Sequence, residues 1–458
     1  MATICRQTFG IPKLRPLTLR WTYPRIQFGR SLNVKRISCF VIFIVFALCS
    51  NSNLAIGSGI LLEGLGTRAV TMGGAFIGLA DDSSAIFWNP GGLARLKGGK
   101  MDIGVYTMTT WMKDRNSVSN LYPPEQNPAK GDVFPRVYDS EPSRFDEENA
   151  FWPFCATIPS ITAYKSYDNF TIGGGVYGAA GAYSKWDDKI RDSSGADIRA
   201  SIWSMLMIMD FNFSIATKIT DKLSLGVGVD LLYARLKADG DKDYRGSSNP
   251  LQPNYSFRLE HESTGMGLQG TIGCLYEFSP KLSLGAVYRT GAKFDLEGDT
   301  YARLTPFIGE EKSDHYHEFV YPPSWGIGIA YKPYSRLTLT ADWQRTDFTE
   351  FNWPNANFTF ENQGVLLRDM DVDPDWFASN AYRFGLEYQY SERLTLRGGY
   401  FREDSGIPPD GEGLATISIG DPIQYANVGF GYQWDVWHMD FMVGTMWGET
   451  TDSIVEHQ

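Results

Sequence analysis

From Lys100 to Trp447 apolar and polar residues alternate along the chain, the two-residue period of extended strands whose faces meet different surroundings. In one run Leu223, Leu225, Val227, Val229, Leu231 and Tyr233 share a side, and Ser224, Gly226, Gly228 and Asp230 share the other. Trp325, Ile327, Ile329 and Tyr331 oppose Gly326, Gly328 and Ala330 in the same way, and Val428, Phe430, Tyr432 and Trp434 oppose Asn427, Gly429, Gly431 and Gln433. The pattern predicts thirteen strands, beginning near residues 100, 154, 170, 200, 222, 256, 282, 316, 336, 379, 393, 424 and 437.

A near-repeat of turn, basic residue and Leu-(Ser/Thr)-Leu at 220–225, 279–284, 334–339 and 390–396 marks tight hairpins. Long polar segments occupy other connections, at Lys113–Phe151, Trp186–Ile198, Asp239–Asn254, Phe351–Ala378 and Glu403–Gln424. Short turns on one rim and long loops on the other predict an all-β fold, a transmembrane antiparallel barrel with its apolar side toward lipid. A soluble sandwich also alternates, but strands of about ten residues with Tyr and Trp recurring near their ends fit a membrane and its interfaces better. Bacterial barrels close with an even number of strands. A fourteenth is therefore expected, although the tail after Trp447 shows neither a closing strand nor a terminal aromatic residue.

Eight basic residues and no acidic one precede Glu63, and an apolar run from Cys39 to Cys49 follows the basic stretch. Charge followed by an apolar run too short to span a bilayer is the order of a secretory signal. Residues 1–57 are predicted to be a signal peptide, cut after Gly57 or after Ser52, with an over-extended start whose alternative lies near Val34. A transit peptide is the other reading. Losing this stretch removes 8 of 42 basic residues and none of 53 acidic ones, leaving 34 against 53, or −19. Such a charge excludes nucleic-acid binding. Of five cysteines only Cys155 and Cys274 then remain, which make neither a disulfide framework nor a metal-ligand spacing. Leu48 is too bulky for a lipidation signal at Cys49.

Between signal and strands lies Gly64–Leu96, rich in small residues and too irregular for a strand or a long helix. Its Ala80-Asp81-Asp82, followed after five residues by Trp88-Asn89-Pro90, resembles the hatch of the FadL-type outer-membrane transporters of long-chain fatty acids and of toluene and xylene. The resemblance continues through 233–237, 275–299 and 394–410, and covers nearly all of Gly57–Gly448. Gly91 departs from it, standing where the family's Asn-Pro-Ala has alanine.

This resemblance implies a lumenal hatch or plug at 58–98 and a fourteen-stranded barrel at 99–458, in the outer membrane of a Gram-negative bacterium. It implies passive transport of hydrophobic compounds, caught by loops and lumen and released sideways at a kinked third strand. The expected partners are a hydrophobic small molecule, outer-membrane lipids, lipopolysaccharide and the barrel-assembly machinery, for a monomer without cofactor or catalysis. A non-transporting structural or secretion-associated barrel is the alternative. A lipid-modifying barrel enzyme is a third reading, for which no Ser/His/Asp constellation is found.

Candidate site residues fall in three groups. The hatch motif comprises Asp81, Asp82, Trp88, Asn89, Pro90 and Gly91, the two acids reading as turn caps or salt links rather than a catalytic pair. Parity turns Arg289, Arg383, Glu387 and Arg397 into the lumen near the short-turn rim, where they can anchor the hatch or hold a substrate carboxylate. Asp81 or Asp82 is predicted to meet Arg383 or Arg397. Gly173, Gly174, Gly175, Gly178 and Gly181 weaken pairing in the third strand and suit a bend bordering a lateral exit, or ordinary curvature. Arg235 and Lys237 have lipid-facing parity and suit lipopolysaccharide phosphates. His315 and His317 share a strand face, but no third ligand stands in register, so no metal site is predicted.

Overall fold

The computed structural model describes residues 6–7, 64–110, 154–191, 197–246, 254–351, 358–369, 376–406 and 422–448. The proposed cleavage sites, the loop at 113–151, most of 403–424 and the tail beyond Gly448 lie outside the described residues. After the two-residue strand β1 (Arg6–Gln7) come two short helices, α1 (Thr67–Thr71) and α2 (Ala85–Trp88), and a 3-10 turn at Pro90–Arg95. Strands follow as β2 (Gly99–Thr110), β3 (Phe154–Ser166), β4 (Thr171–Arg191), β5 (Asp197–Lys218), β6 (Leu223–Arg245), β7 (Tyr255–Ser279), β8 (Leu282–Arg289) and β9 (Ala292–Thr305). The rest are β10 (Gly309–Tyr321), β11 (Ser324–Tyr334), β12 (Leu337–Thr346), β13 (Phe358–Phe360), β14 (Ser379–Gln389), β15 (Leu394–Glu403), β16 (Ile423–Trp434) and β17 (Trp437–Gly448).

The pairings are antiparallel and form a ring, in which β7 pairs with β8 below and β9 above, β8 with β11, and β9 with β10. β2 and β17 start at the same level and run the same way, so they cannot pair antiparallel with each other. β1 lies between them, antiparallel to both, with Arg6 opposite Asp102 on one side and His438 on the other. Arg6 and Gln7 belong to the stretch predicted as a signal peptide, so its removal would leave this place between β2 and β17 open.

Two predicted strands are broken, and the break has a physical meaning. On β8 the inward residues are Val287 and Arg289, whereas on β9 they are Ala292, Phe294 and Leu296. The same change of phase separates β10 from β11 at Pro322-Pro323, where neither residue can donate to a ladder. Below the breaks the outward face is apolar and exposed, as at Phe213, Val227, Val229 and Ile327. Above them it carries Lys293, Asp295, Glu297, Lys312 and Asp314, while phenylalanine and leucine turn inward. A row of outward charges cannot sit in hydrocarbon. The membrane band thus ends below β9 and β10, and the wall continues above it as a collar of reversed polarity.

Residues 64–97 lie inside the ring. Ala69, Met72, Ala75, Phe76, Ile77, Ala80, Ala85 and Leu93 are 0% exposed. Helices of five and four residues do not persist unaided; here the wall holds them. It admits their backbone through glycines on β6, β7, β8, β11, β14 and β15. A Cβ at Gly226 would strike Pro90, at Gly273 Asn89, at Gly285 Ile77, at Gly328 Gly78, at Gly385 Met72 and at Gly399 Gly73. The glycines that parity turns inward are therefore notches for the inner segment.

Candidate functional site

Arg68 on α1 is the hub of the lower lumen. Its Nη1 donates to Asp81 at 2.5 Å and Asp82 at 3.3 Å, and its Nε and Nη2 donate to the two oxygens of Glu387 at 2.7 and 2.9 Å. Arg397 donates to Glu387 at 2.7 Å and to Asp440 at 2.6 Å. Acids and guanidiniums thus alternate from the inner segment across β14 and β15 to β17. The predicted contact of Asp81 or Asp82 with Arg383 or Arg397 is corrected: the segment supplies its own cation, and Glu387 joins it to the wall. Asp82 also accepts from the backbone N–H and hydroxyl of Ser84 at 2.9 and 2.6 Å, the capping role expected of it. A second anchor is Arg95, bound to Ser224 at 2.7 Å and Glu277 at 2.5 Å.

Asn89 stitches the segment to itself and to β7. Its Nδ2 donates to the carbonyls of Ile77 at 2.9 Å and Cys274 at 2.8 Å, and its Oδ1 accepts from Gly91 N–H at 3.0 Å. Pro90 opens the 3-10 turn, where a missing N–H costs nothing. A Cβ on Gly91 would stand 2.9 Å from the Gly273 carbonyl oxygen, which accounts for glycine at this position.

Arg289 and Arg383 do not belong with Glu387 and Arg397. They lie further from the short-turn rim, in a cleft of about 790 Å³ above the inner segment, bordered by Trp88, Tyr177, Asp210, Tyr321 and Phe401. Arg289 donates to the Phe87 and Trp88 carbonyls and lies 4.9 Å from the centroid of the Phe87 ring. Arg383 lies 4.6 Å from the Phe401 ring and 5.8 Å from Trp88, bonds Gln344 at 3.2 Å, and keeps a buried Nε without a partner among the described residues. Opposite them Asp230 accepts from Asn212 and, at 2.9 Å, from Thr271. Above the cleft buried apolar residues including Leu206, Ile208, Leu232, Phe294, Leu296 and Phe319 pack together, with the Tyr321 hydroxyl 3.5 Å from the Ala179 carbonyl of β4.

A profile described as outer membrane protein transport protein (OMPP1/FadL/TodX) matches residues 49–456. The chain belongs to that family. It is a β-barrel protein of the outer membrane. The long-chain fatty acid transport protein of Escherichia coli is 23% identical over 249 residues, 47% of this chain and 53% of that protein. The chain thus spans about half the length of the curated relatives it first matches. A Pseudomonas aeruginosa FadL homologue superposes with a TM-score of 0.62 at 16% identity, over 86% of this chain and 92% of that one. The P. putida toluene transporter TodX gives 0.59 at 16% identity, over 85% and 100%. Both structural likenesses bear on the fold.

In this FadL-family barrel, pairing of β3 with β4 runs only from Ser166–Thr171 to Ile161–Val176. Beyond that level β3 stays on β2 and β4 stays on β5, whose register shifts between Gly178 and Ala180. Of the third-strand glycines, Gly173 and Gly175 face Ile86, Gly174 faces the Asn212 carbonyl, Gly181 the Leu206 carbonyl, and Gly178 marks the bulge. A second cleft of about 590 Å³ beside the gap is bordered by Gly66, Val105, Ile158, Tyr177 and Gly178. Tyr177 borders both clefts, and its ring meets Phe87 edge-on at 5.8 Å. Arg235 and Lys237 point outward as expected, both held by Glu262 at 2.5 and 2.7 Å. The absence of a third ligand for His315 and His317 is also corrected: His261 of β7 joins them across β9. Arg68, Tyr177, Asp440 and His261 went unmarked in the sequence because their partners lie on distant strands.

Proposed function

We propose that this protein carries hydrophobic compounds passively across the outer membrane and releases them sideways between β3 and β4. The observation that carries this reading is the end of β3–β4 pairing at Ile161–Val176, beside a cleft that shares Tyr177 as a wall with the lumenal cleft. Residues 58–98 act as the plug and 99–458 as the barrel, after a signal peptide at 1–57. Transport follows the ligand's gradient, and the role is that of a channel rather than an enzyme. Among the ligands named for relatives, a long-chain fatty acid fits this chain better than toluene. Apolar walls at Phe294, Leu296 and Phe319 lie above two buried guanidiniums, Arg289 and Arg383, which suit a carboxylate head. Arg235 and Lys237 suit lipopolysaccharide phosphates, and the barrel works as a monomer delivered by the assembly machinery.

The test is uptake of labelled oleate by a deletion strain carrying the gene with Ile158→Cys and Gly178→Cys, in a background where Cys155 and Cys274 are serine. Oxidation is expected to close the gap and stop uptake, and reduction to restore it. Equal uptake in both states, with the crosslink confirmed, would show that the route does not pass this gap.

A further inference from the structure

The collar holds a cluster that hydrophobic transport does not use. His261 on β7 and His315 and His317 on β10 each offer a ring nitrogen within 4.8 Å of the others. The strand between them, β9, sets Thr300 opposite His261 and Gly298 opposite His315, so one face gathers all three rings. His315 and His317 are each 3% exposed.

The geometry points to a site for one divalent transition-metal ion of the zinc class, held by His261, His315 and His317. Three features distinguish it from ring packing. First, the Thr300 hydroxyl lies 3.0 Å from His261 Nδ1 and 3.1 Å from His315 Nδ1. With two lone pairs its oxygen can accept from both Nδ1–H groups, which holds both rings in the tautomer that leaves Nε2 for a ligand, the outer support that metal-binding imidazoles use. Second, His315 Nε2 and His317 Nδ1 are buried with no hydrogen-bond partner among the described residues. Phenylalanines would fill the same space without stranding two polar atoms. Third, the nitrogens are already near one another, one from each ring lying within 4.8 Å of the others. Zinc holds nitrogens at about 2.0–2.1 Å, which separates them by ~3.3 Å. Closing from 4.8 Å needs a shift of at most about 1.5 Å, within reach of ring rotation.

Imidazole nitrogens suit zinc, copper, nickel and cobalt, and not magnesium or calcium. The neutral ring is the form that binds metal. Three protein ligands leave a fourth position for water or an anion.

The full chain, purified in detergent and stripped with EDTA, is titrated with Zn²⁺ by calorimetry, and its metal content is measured after gel filtration. One ion per chain is expected. Co²⁺ in its place is expected to give the intense visible absorption of a four-coordinate nitrogen site. Thr300→Val is expected to weaken Zn²⁺ binding about 10- to 100-fold. His317→Ala should weaken it by at least about as much, with assembly verified by heat-modifiable migration on gels. Stoichiometry and the Co²⁺ spectrum need no variant, so they decide the matter even if His317→Ala fails to assemble. Metal content well below one ion per chain, a six-coordinate Co²⁺ spectrum, or unchanged affinity in an assembled His317→Ala chain overturns the assignment.

Discussion

Arg68 shows how much a single side chain can hold in a confined lumen. It faces Asp81, Asp82 and Glu387, and Arg397 shares Glu387 with it. Removing one partner of a buried ion pair costs about 3–5 kcal/mol, because the charge left behind has no water to turn to. Arg68→Met is therefore expected to lower the unfolding temperature of the detergent-solubilised barrel markedly, with Arg68→Lys in between because it cannot span Glu387 bidentately. Equal melting of all three proteins would remove Arg68 from its place as hub. Gly91→Ala is expected to cost about 1–3 kcal/mol by overpacking against β7, measurable in the same melt. The sequence made the acids and the inward arginines legible, since parity needs only a strand. It hid which acid meets which base, because Arg68 belongs to a segment with no period from which to read direction.

At the scale of elements, strand starts were legible because the membrane imposes alternation on every strand that crosses it. The collar was misread for the same reason, since its apolar residues exchange sides at Gly291 and Pro322 and no longer face lipid. Gly178→Val is expected to reduce oleate uptake while the barrel still assembles, because residue 178 lies at the bulge beside the gap. Gly175→Val is expected to impair assembly instead, because its side chain would enter Ile86 and the Ile161 carbonyl. Identical behaviour of the two variants would make the glycine run a matter of curvature. The collar carries a clasp of its own. Glu311 accepts from the N–H groups of Val365, Leu366 and Leu367 at 2.9, 2.9 and 3.0 Å. Burial opposes its ionisation, but the three donors outweigh burial and hold its carboxyl below the ordinary range. A depressed folded-state pKa gives stability that is complete above the unfolded value and lost as pH falls through the folded one. Amide protection at 365–367, corrected for intrinsic exchange, is expected to persist to acid pH and then fall, and to be weak at every pH in Glu311→Gln.

For the whole molecule, barrel, compartment and inner segment were legible from loop lengths, charge order and the hatch motif, whereas closure of the ring was not. β2 and β17 run the same way, and Arg6–Gln7, which lie between them, fall within the predicted signal peptide and cannot close the mature chain. The lumen holds two packed layers, the ion-paired segment below and the apolar cluster of the collar above. Deleting residues 63–96 alone is expected to raise conductance in planar bilayers modestly. Combining the deletion with Phe294→Ser and Phe319→Ser is expected to raise it by more than the sum of the separate changes. Additive conductances would mean that the collar does not seal. The reversed collar has a further consequence, concerning wetting. A narrow apolar passage expels water, so the collar admits an oily solute more readily than an ion, which must nucleate a water column to cross it. Exclusion of ions then becomes a property of the dry lining itself, and the head group of an oily solute is left for Arg289 and Arg383 to distinguish.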